Sequence, residues 1–164
     1  MPRIYISVGS NINRDFHVRH GVRALVSELS AVTLSSVYQS EAVGFVGDDF
    51  FNMVLGADTD LSIVDCISLL KRIEDQFGRV RGAEKFSGRT LDLDLLTYDQ
   101  QICDSPVVLP RAEITENAFV LWPLAEIAAD EIHPTTGLSY AALWQGYNQS
   151  QKIWPVEFSW SEPT

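Results

Sequence analysis

The chain has 164 residues, 46% of them hydrophobic, with 22 acidic against 12 basic side chains and a net charge of −10. That length suits one well-packed core and is short for two, and the acidic balance argues against a general nucleic-acid or anionic-membrane surface, because the average field repels phosphate. No run approaches the roughly eighteen consecutive apolar residues of a spanning helix, and the opening MPRIYISVG has no secretory pattern, so the expectation is a cytoplasmic protein forming one domain over residues 1–164.

Arg3 to Val8 reads as a buried strand ending at the turn-prone Gly9-Ser10-Asn11. Val18, Val22, Leu25 and Leu29 then make one apolar helical stripe, with Arg19 and Arg23 expected to face outward. Ala31 to Gln39 predicts a second strand, Ser40 to Asp49 a loop, and Phe50 to Ala57 a third strand. Ser62 has the position of an N-cap, with Asp65 at the capping-box site, for a helix whose inner face is Ile63, Ile67, Leu70 and Phe77 and which Gly78 can close. Thr90 to Tyr98 predicts a strand, Asp99-Gln100-Gln101 a tight turn, and Val107 to Leu109 a short strand stopped by Pro110. Ala118 to Ala129 predicts a short helix that Pro123 either opens or splits, and the residues after Tyr147 an irregular cover.

Two β-α-β arrangements joined by hairpin signals predict an α+β, ferredoxin-like sandwich, an antiparallel sheet with helices on one face. A doubly wound parallel sheet is the alternative, weakened because Gly9 lacks the further glycines of a dinucleotide fingerprint. Cys66 and Cys103 have no metal or redox spacing and are expected to be free thiols. His17 and His20 lack a third ligand, and His133-Pro134 signals a turn.

The chemistry concentrates in GRVRGAEKFSGRTLDLDLL, Gly78 to Leu96. Leu91, Leu93 and Leu95 alternate with Asp92 and Asp94, so a strand here sends the leucines into the core and both carboxylates to the other face. Adjacent carboxylates repel, and a hard cation shared with substrate phosphates relieves the repulsion; an edge strand with solvated acids is the alternative. Six of the 12 basic residues lie between Lys71 and Arg89, immediately upstream. Guanidinium forks match phosphate oxygens, so the basic run and the acids together point to Mg²⁺-nucleotide chemistry, although a solvated basic loop remains open.

The run R-V-R-x-A-E-K-F-S-G-R-T-L-D-L-D-L-L closely resembles the signature of the 6-hydroxymethyl-7,8-dihydropterin pyrophosphokinases. I-Y-I-S-V-G-S-N-I, V-Y-Q-S-E-A-V-G, F-F-N and A-F-V-L-W-P-L-A-E-I-A resemble further segments of that family in order, up to about His133. The resemblance implies a ferredoxin-like α/β/α sandwich with a mainly antiparallel sheet, and Mg²⁺-dependent transfer of pyrophosphate from ATP to the pterin hydroxymethyl group, releasing AMP. It further implies that Asp92 and Asp94 bind two Mg²⁺ ions, that Arg79, Arg81 and Arg89 contact ATP phosphates from a loop that includes Phe86, and that Lys71 and Arg111 lie on the nucleotide side. Phe50 and Phe119 would stack on the pterin, Asn52 would bond its ring, and Ser40 and Val43 would supply backbone contacts; from the residues alone, the two phenylalanines read as core packing. The implied partners are ATP and the pterin, bound by a monomer that engages no nucleic acid or membrane.

The chain departs from the family pattern on the nucleotide side. Arg111 stands where a histidine is common, Asn117 where an arginine is, and Lys71 where a glutamine is, with Ala112 and Glu113 giving a less aromatic, more acidic neighbourhood. A weakly active or non-catalytic pterin- and nucleotide-binding paralogue is therefore the alternative to a full enzyme.

Overall fold

The computed structural model describes residues 1–41, 47–78 and 90–161. Its elements run β1 (Arg3–Ser10), α1 (Arg14–Glu28), β2 (Ser30–Leu34), β3 (Val37–Ser40), β4 (Phe50–Asp58), α2 (Ile63–Gln76), β5 (Asp92–Tyr98), α3 (Glu113–Glu116), α4 (Ala118–Ile127), α5 (Tyr140–Gln145) and β6 (Ile153–Val156). The six strands make one sheet in the order β5-β1-β4-β3-β6, with β2 also on β4, and each pairing is antiparallel. This is the α+β architecture the sequence predicted and excludes the parallel alternative.

Strand alternation decides where the core lies. Ile4, Ile6 and Val8 of β1, Met53 and Leu55 of β4, and Leu93 and Leu95 of β5 share one face. On it pack Val18, Val22 and Leu25 of α1 and Cys66, Leu69, Leu70 and Ile73 of α2. Residues of opposite parity, Tyr5 and Val54, join Leu96 beneath Val120, Leu121 and Leu124 of α4 and Tyr140 of α5. Helices thus cover both faces, as the α/β/α sandwich implied by the family resemblance requires, and only the single-face reading of the strand and helix pattern is corrected: the hydrophobic run of α4 needs its own sheet surface to bury. The apolar contacts of this second layer stop at Val54 and Leu96, and the sheet beyond them is polar.

Several local expectations are corrected for identifiable reasons. The predicted second strand divides into β2 and β3 at Ser35-Ser36, where the Ser35 hydroxyl donates to the Ser36 carbonyl and accepts from the Val54 amide. Arg19 is buried: its guanidinium donates twice to the Ser159 carbonyl at 3.0 and 2.9 Å; Arg23 is exposed, as expected, and donates to the Trp160 carbonyl. The tail is no irregular cover, because β6 adds to β3 as a strand. The expected strand at Val107 reduces to a bridge between Cys103 and Leu109, and the buried stripe of α2 is Cys66, Leu69, Leu70 and Ile73, with Ile63 and Phe77 at its margins. α4 continues unbroken through Pro123.

The helix-capping, cysteine and His133-turn expectations hold. The Ser62 hydroxyl accepts from the Asp65 amide, and Gly78, at φ +82°, follows α2. Both cysteines are free, and His133 Nδ1 accepts from the Thr135 and Thr136 amides in a turn. His17 bonds the Ile12 carbonyl and His20 stacks on Phe16, with no metal-type cluster among the described residues. No helix among them is long and apolar enough to cross a membrane.

Gly56 shows how tightly the second layer is built. A Cβ there would lie 2.6 Å from Cε1 of Tyr5, its cross-strand neighbour. The Tyr5 ring is buried and its hydroxyl donates to Glu131, so it has little room to retreat. Gly56→Ala is expected to destabilise the fold by about 2 kcal/mol, read as a lowered urea midpoint at unchanged m.

Candidate active site

The polar end of the sheet is built by the register of three strands. Gly9 of β1 pairs with Asp92 of β5 on one side and with Asn52 of β4 on the other, and Ser7 likewise lies between Asp94 and Val54. Alternation puts Asp92, Asp94, Gly9 and Asn52 on the face that α4 leaves open. Two strand spacings, about 10 Å, separate the acidic strand from Asn52, and Gly9 keeps the floor between them low. A Cβ on Gly9 would meet Asn52 Oδ1 at 3.1 Å and Phe50 Cδ1 at 3.8 Å.

The acidic pair sits as the alternation predicted, with Leu91, Leu93 and Leu95 buried beneath it. β5 is an edge strand, and its outer rim is covered by side chains. Glu74 of α2, buried, accepts from the Leu93 amide at 2.9 Å. Arg111 donates through its backbone to the Leu96 carbonyl and through Nε to the Leu95 carbonyl, placing a terminal nitrogen 3.7 Å from Asp94 Oδ1. Asp94 is pushed up to about 7, first by burial and then by the Asp92 carboxylate, with Arg111 opposing and Glu74 and Glu113 adding to the rise. A carboxyl so placed gains from a cation that also meets Asp92, and two neighbouring carboxylates are a donor set that, together with phosphate oxygens, suits Mg²⁺.

On the other side of Gly9, Asn52 is buried and its amide donates to the Ser40 hydroxyl at 2.6 Å, which fixes the orientation of the amide. Asp49, immediately before Phe50, is held by Gln39 through its carboxylate and by Arg14 through its carbonyl. Phe119 is the second residue of α4 and packs half-buried against the second core. The far end of that helix is tied to the sheet by Glu126, which accepts from the Ser36 amide and hydroxyl and from the Tyr38 hydroxyl, while Trp122 packs on the Tyr38 ring.

Ser40, Phe50, Asn52, Asp92, Asp94 and Arg111 thus converge on one end of the sheet. Lys71 is exposed on α2, in the opposite layer. Val43, Arg79, Arg81, Phe86 and Arg89 lie outside the described residues. Sequence reasoning took Gly9 for a turn residue, whereas it lies inside β1, and passed over Glu74, although each carried a signal. A glycine inside a strand marks a close approach, and an acid one step from Ile73 on the buried side of a helix has to meet a donor.

A family model described as 7,8-dihydro-6-hydroxymethylpterin-pyrophosphokinase (HPPK) matches residues 5–129. The chain belongs to the HPPK family. It is 36% identical over 141 residues to the 2-amino-4-hydroxy-6-hydroxymethyldihydropteridine pyrophosphokinase of Haemophilus influenzae, covering 83% of this chain and 88% of that one. It is 37% identical over 134 residues to the Synechocystis enzyme of the same name, covering 81% and 68%. Among solved structures, an HPPK-DHPS in complex with substrates superposes with a TM-score of 0.71 at 10% identity, and the Plasmodium falciparum HPPK-DHPS with SDX-DHP at 0.68 and 11%. These cover 89% and 90% of this chain but 43% and 44% of those longer chains, so the likeness is that of the HPPK fold to part of a larger protein.

Proposed function

We propose that this HPPK-family chain, as one catalytic domain, transfers pyrophosphate from ATP to 6-hydroxymethyl-7,8-dihydropterin, giving AMP and the pterin diphosphate in folate biosynthesis. The observation that supports the reading is the row Asp92, Gly9, Asn52, which with Asp94 two residues on sets a phosphate-side acidic pair against a ring-side amide across one glycine. Asn52, oriented by Ser40, bonds the polar edge of the pterin, and Phe50 and Phe119 supply aromatic walls. The substrate hydroxymethyl oxygen bonds to the β-phosphorus while the bond to the α-phosphate oxygen breaks. AMP leaves with that electron pair, and the hydroxyl proton goes to solvent. Asp92 and Asp94 would hold Mg²⁺, two ions on the family pattern, whose positive charge would offset the negative charge of the phosphate oxygens. Arg79, Arg81 and Arg89 would contact the phosphates, with Phe86 near them in sequence, while Lys71, in the opposite layer on α2, is left out of the nucleotide site. With charge neutralisation and alignment dominant, no side-chain base is required.

A second reading, a weakly active or non-catalytic binding module, is favoured by one observation. Arg111, standing where the family has histidine, is committed to the Leu95 carbonyl and Asp94, and Asn117 brings no charge. One assay separates the two. Incubation with MgATP and the pterin should yield AMP, absent with Asp94→Ala; ADP, or no turnover at high enzyme concentration, would sink the enzyme reading. Pterin binding without turnover would support the module.

A further inference from the structure

We infer that the C-terminal segment from Tyr147 to Val156 is a strap that sets the width of the pterin slot, with Gln151 as its positioning residue. The inference rests on the pterin assignment above. It starts from an oddity at the first turn of α4. Its N-cap, Asn117, makes no side-chain capping bond. Instead the Ala118 amide donates to Oε1 of Gln151, 33 residues later, at 2.8 Å. The same carboxamide donates to the Glu116 carbonyl at 3.4 Å, and the Tyr147 hydroxyl donates to that carbonyl at 2.8 Å. The residue beside this borrowed cap is Phe119.

The strap is then fastened to the other wall. The Lys152 carbonyl accepts from the Glu41 amide, and Ile153 pairs with Ser40 as β6 runs along β3. Gln151 and Ile153 are two residues apart, a span of about 7 Å in extended chain. That matches the separation of two faces stacked on either side of a flat ring, about twice a van der Waals contact. One short extended segment therefore joins the helix turn that carries Phe119 to the strand end that carries Ser40, the partner of Asn52. Glu126 and Tyr38 hold the opposite end of α4, which leaves the strap to fix the end nearest the pterin. The family model stops at residue 129 and does not reach it.

The test uses the full chain with Gln151→Ala and Gln151→Glu. Glutamate keeps an acceptor for the Ala118 amide; alanine does not. Gln151→Ala should speed hydrogen exchange at the Ala118 amide and weaken pterin binding, followed by pterin fluorescence, by about five- to tenfold, the effect of one lost helix cap. The pterin KM should rise in step while kcat and the ATP KM stay within about twofold. Gln151→Glu should return pterin affinity to near wild type. Unchanged pterin affinity in Gln151→Ala would overturn the inference, as would an equal loss in kcat and both KM values together with a lowered Tm. The wild-type arm reads the underlying assignment by itself: a wild-type chain that binds no pterin overturns that assignment and the strap with it.

Discussion

Asp94→Asn is expected to cut AMP formation by about a thousandfold while making the metal-free protein more stable at pH 8. The first effect follows from removing one of two proposed cation ligands, where the lost charge stabilisation amounts to about 4 kcal/mol. The second follows from the sign of the Asp94 shift. Its carboxyl lies at about 7 in the folded chain and near 4 when unfolded, because burial and the Asp92 carboxylate disfavour the charge, with Glu74 and Glu113 adding and Arg111 opposing. A raised carboxyl contributes stability that is fully present below the unfolded value and is lost as pH climbs through 7. Taken whole, the shift corresponds to about 4 kcal/mol. With 41% of the Asp94 side chain accessible, solvent screening reduces it to about 1 to 2 kcal/mol. Asparagine imitates the protonated form, so the variant should match wild type at pH 4 and exceed it by that margin at pH 8 in urea melts. Mg²⁺ should raise the wild-type Tm at pH 8 and leave the variant unmoved. Equal pH profiles for the two proteins would show that Asp94 is an ordinary solvated acid.

The acidic strand was legible in the sequence because its information is local. Period-two alternation of leucine and aspartate fixes which side chains point inward, whatever the strand pairs with. The same locality explains the start of α2 at Ser62 and its end at Gly78. What escaped is non-local. Arg19 sits on the polar side of a helical stripe and reads as solvent-facing, yet the tail brings the Ser159 carbonyl to it from 140 residues away and it is buried. β6 has a proline at its centre, a poor internal strand signal, and survives because it is an edge strand pairing with β3 alone. Helix placement on both faces depends on which strands neighbour one another, and β1 lying between β4 and β5 is a property of topology that periodicity does not encode. Within the site, type and spacing named the carboxylates. The opposition of Asp92 and Asn52 across Gly9 needed the register of three strands.

Glu74→Ala is expected to destabilise the fold by about 3 kcal/mol and to weaken metal binding at β5 by about tenfold. The Leu93 amide lies on the outer rim of an edge strand, with no neighbouring strand on that side among the described residues, and the buried Glu74 carboxylate accepts it at 2.9 Å. Alanine removes a charge-assisted bond and leaves an amide shielded from water, both costly in the same direction. Leu93 stands between Asp92 and Asp94, so loosening its amide lets the spacing of the two carboxylates vary. Groups that orient metal ligands from behind commonly change affinity by about 10- to 100-fold. Glu74→Gln separates hydrogen bonding from charge. Its carbonyl oxygen can still accept the Leu93 amide, so stability should fall by only about 1 kcal/mol. The missing negative charge should also draw the Asp94 carboxyl down toward the ordinary range, because Glu74 is one of the groups that raise it. Urea melts would give the stability order wild type, Gln, Ala, and calorimetric titration with Mn²⁺ would give the affinities. If Glu74→Ala melted and bound metal like wild type, Glu74 would be dispensable to the strand, and the rim of β5 would owe its order to Arg111 alone.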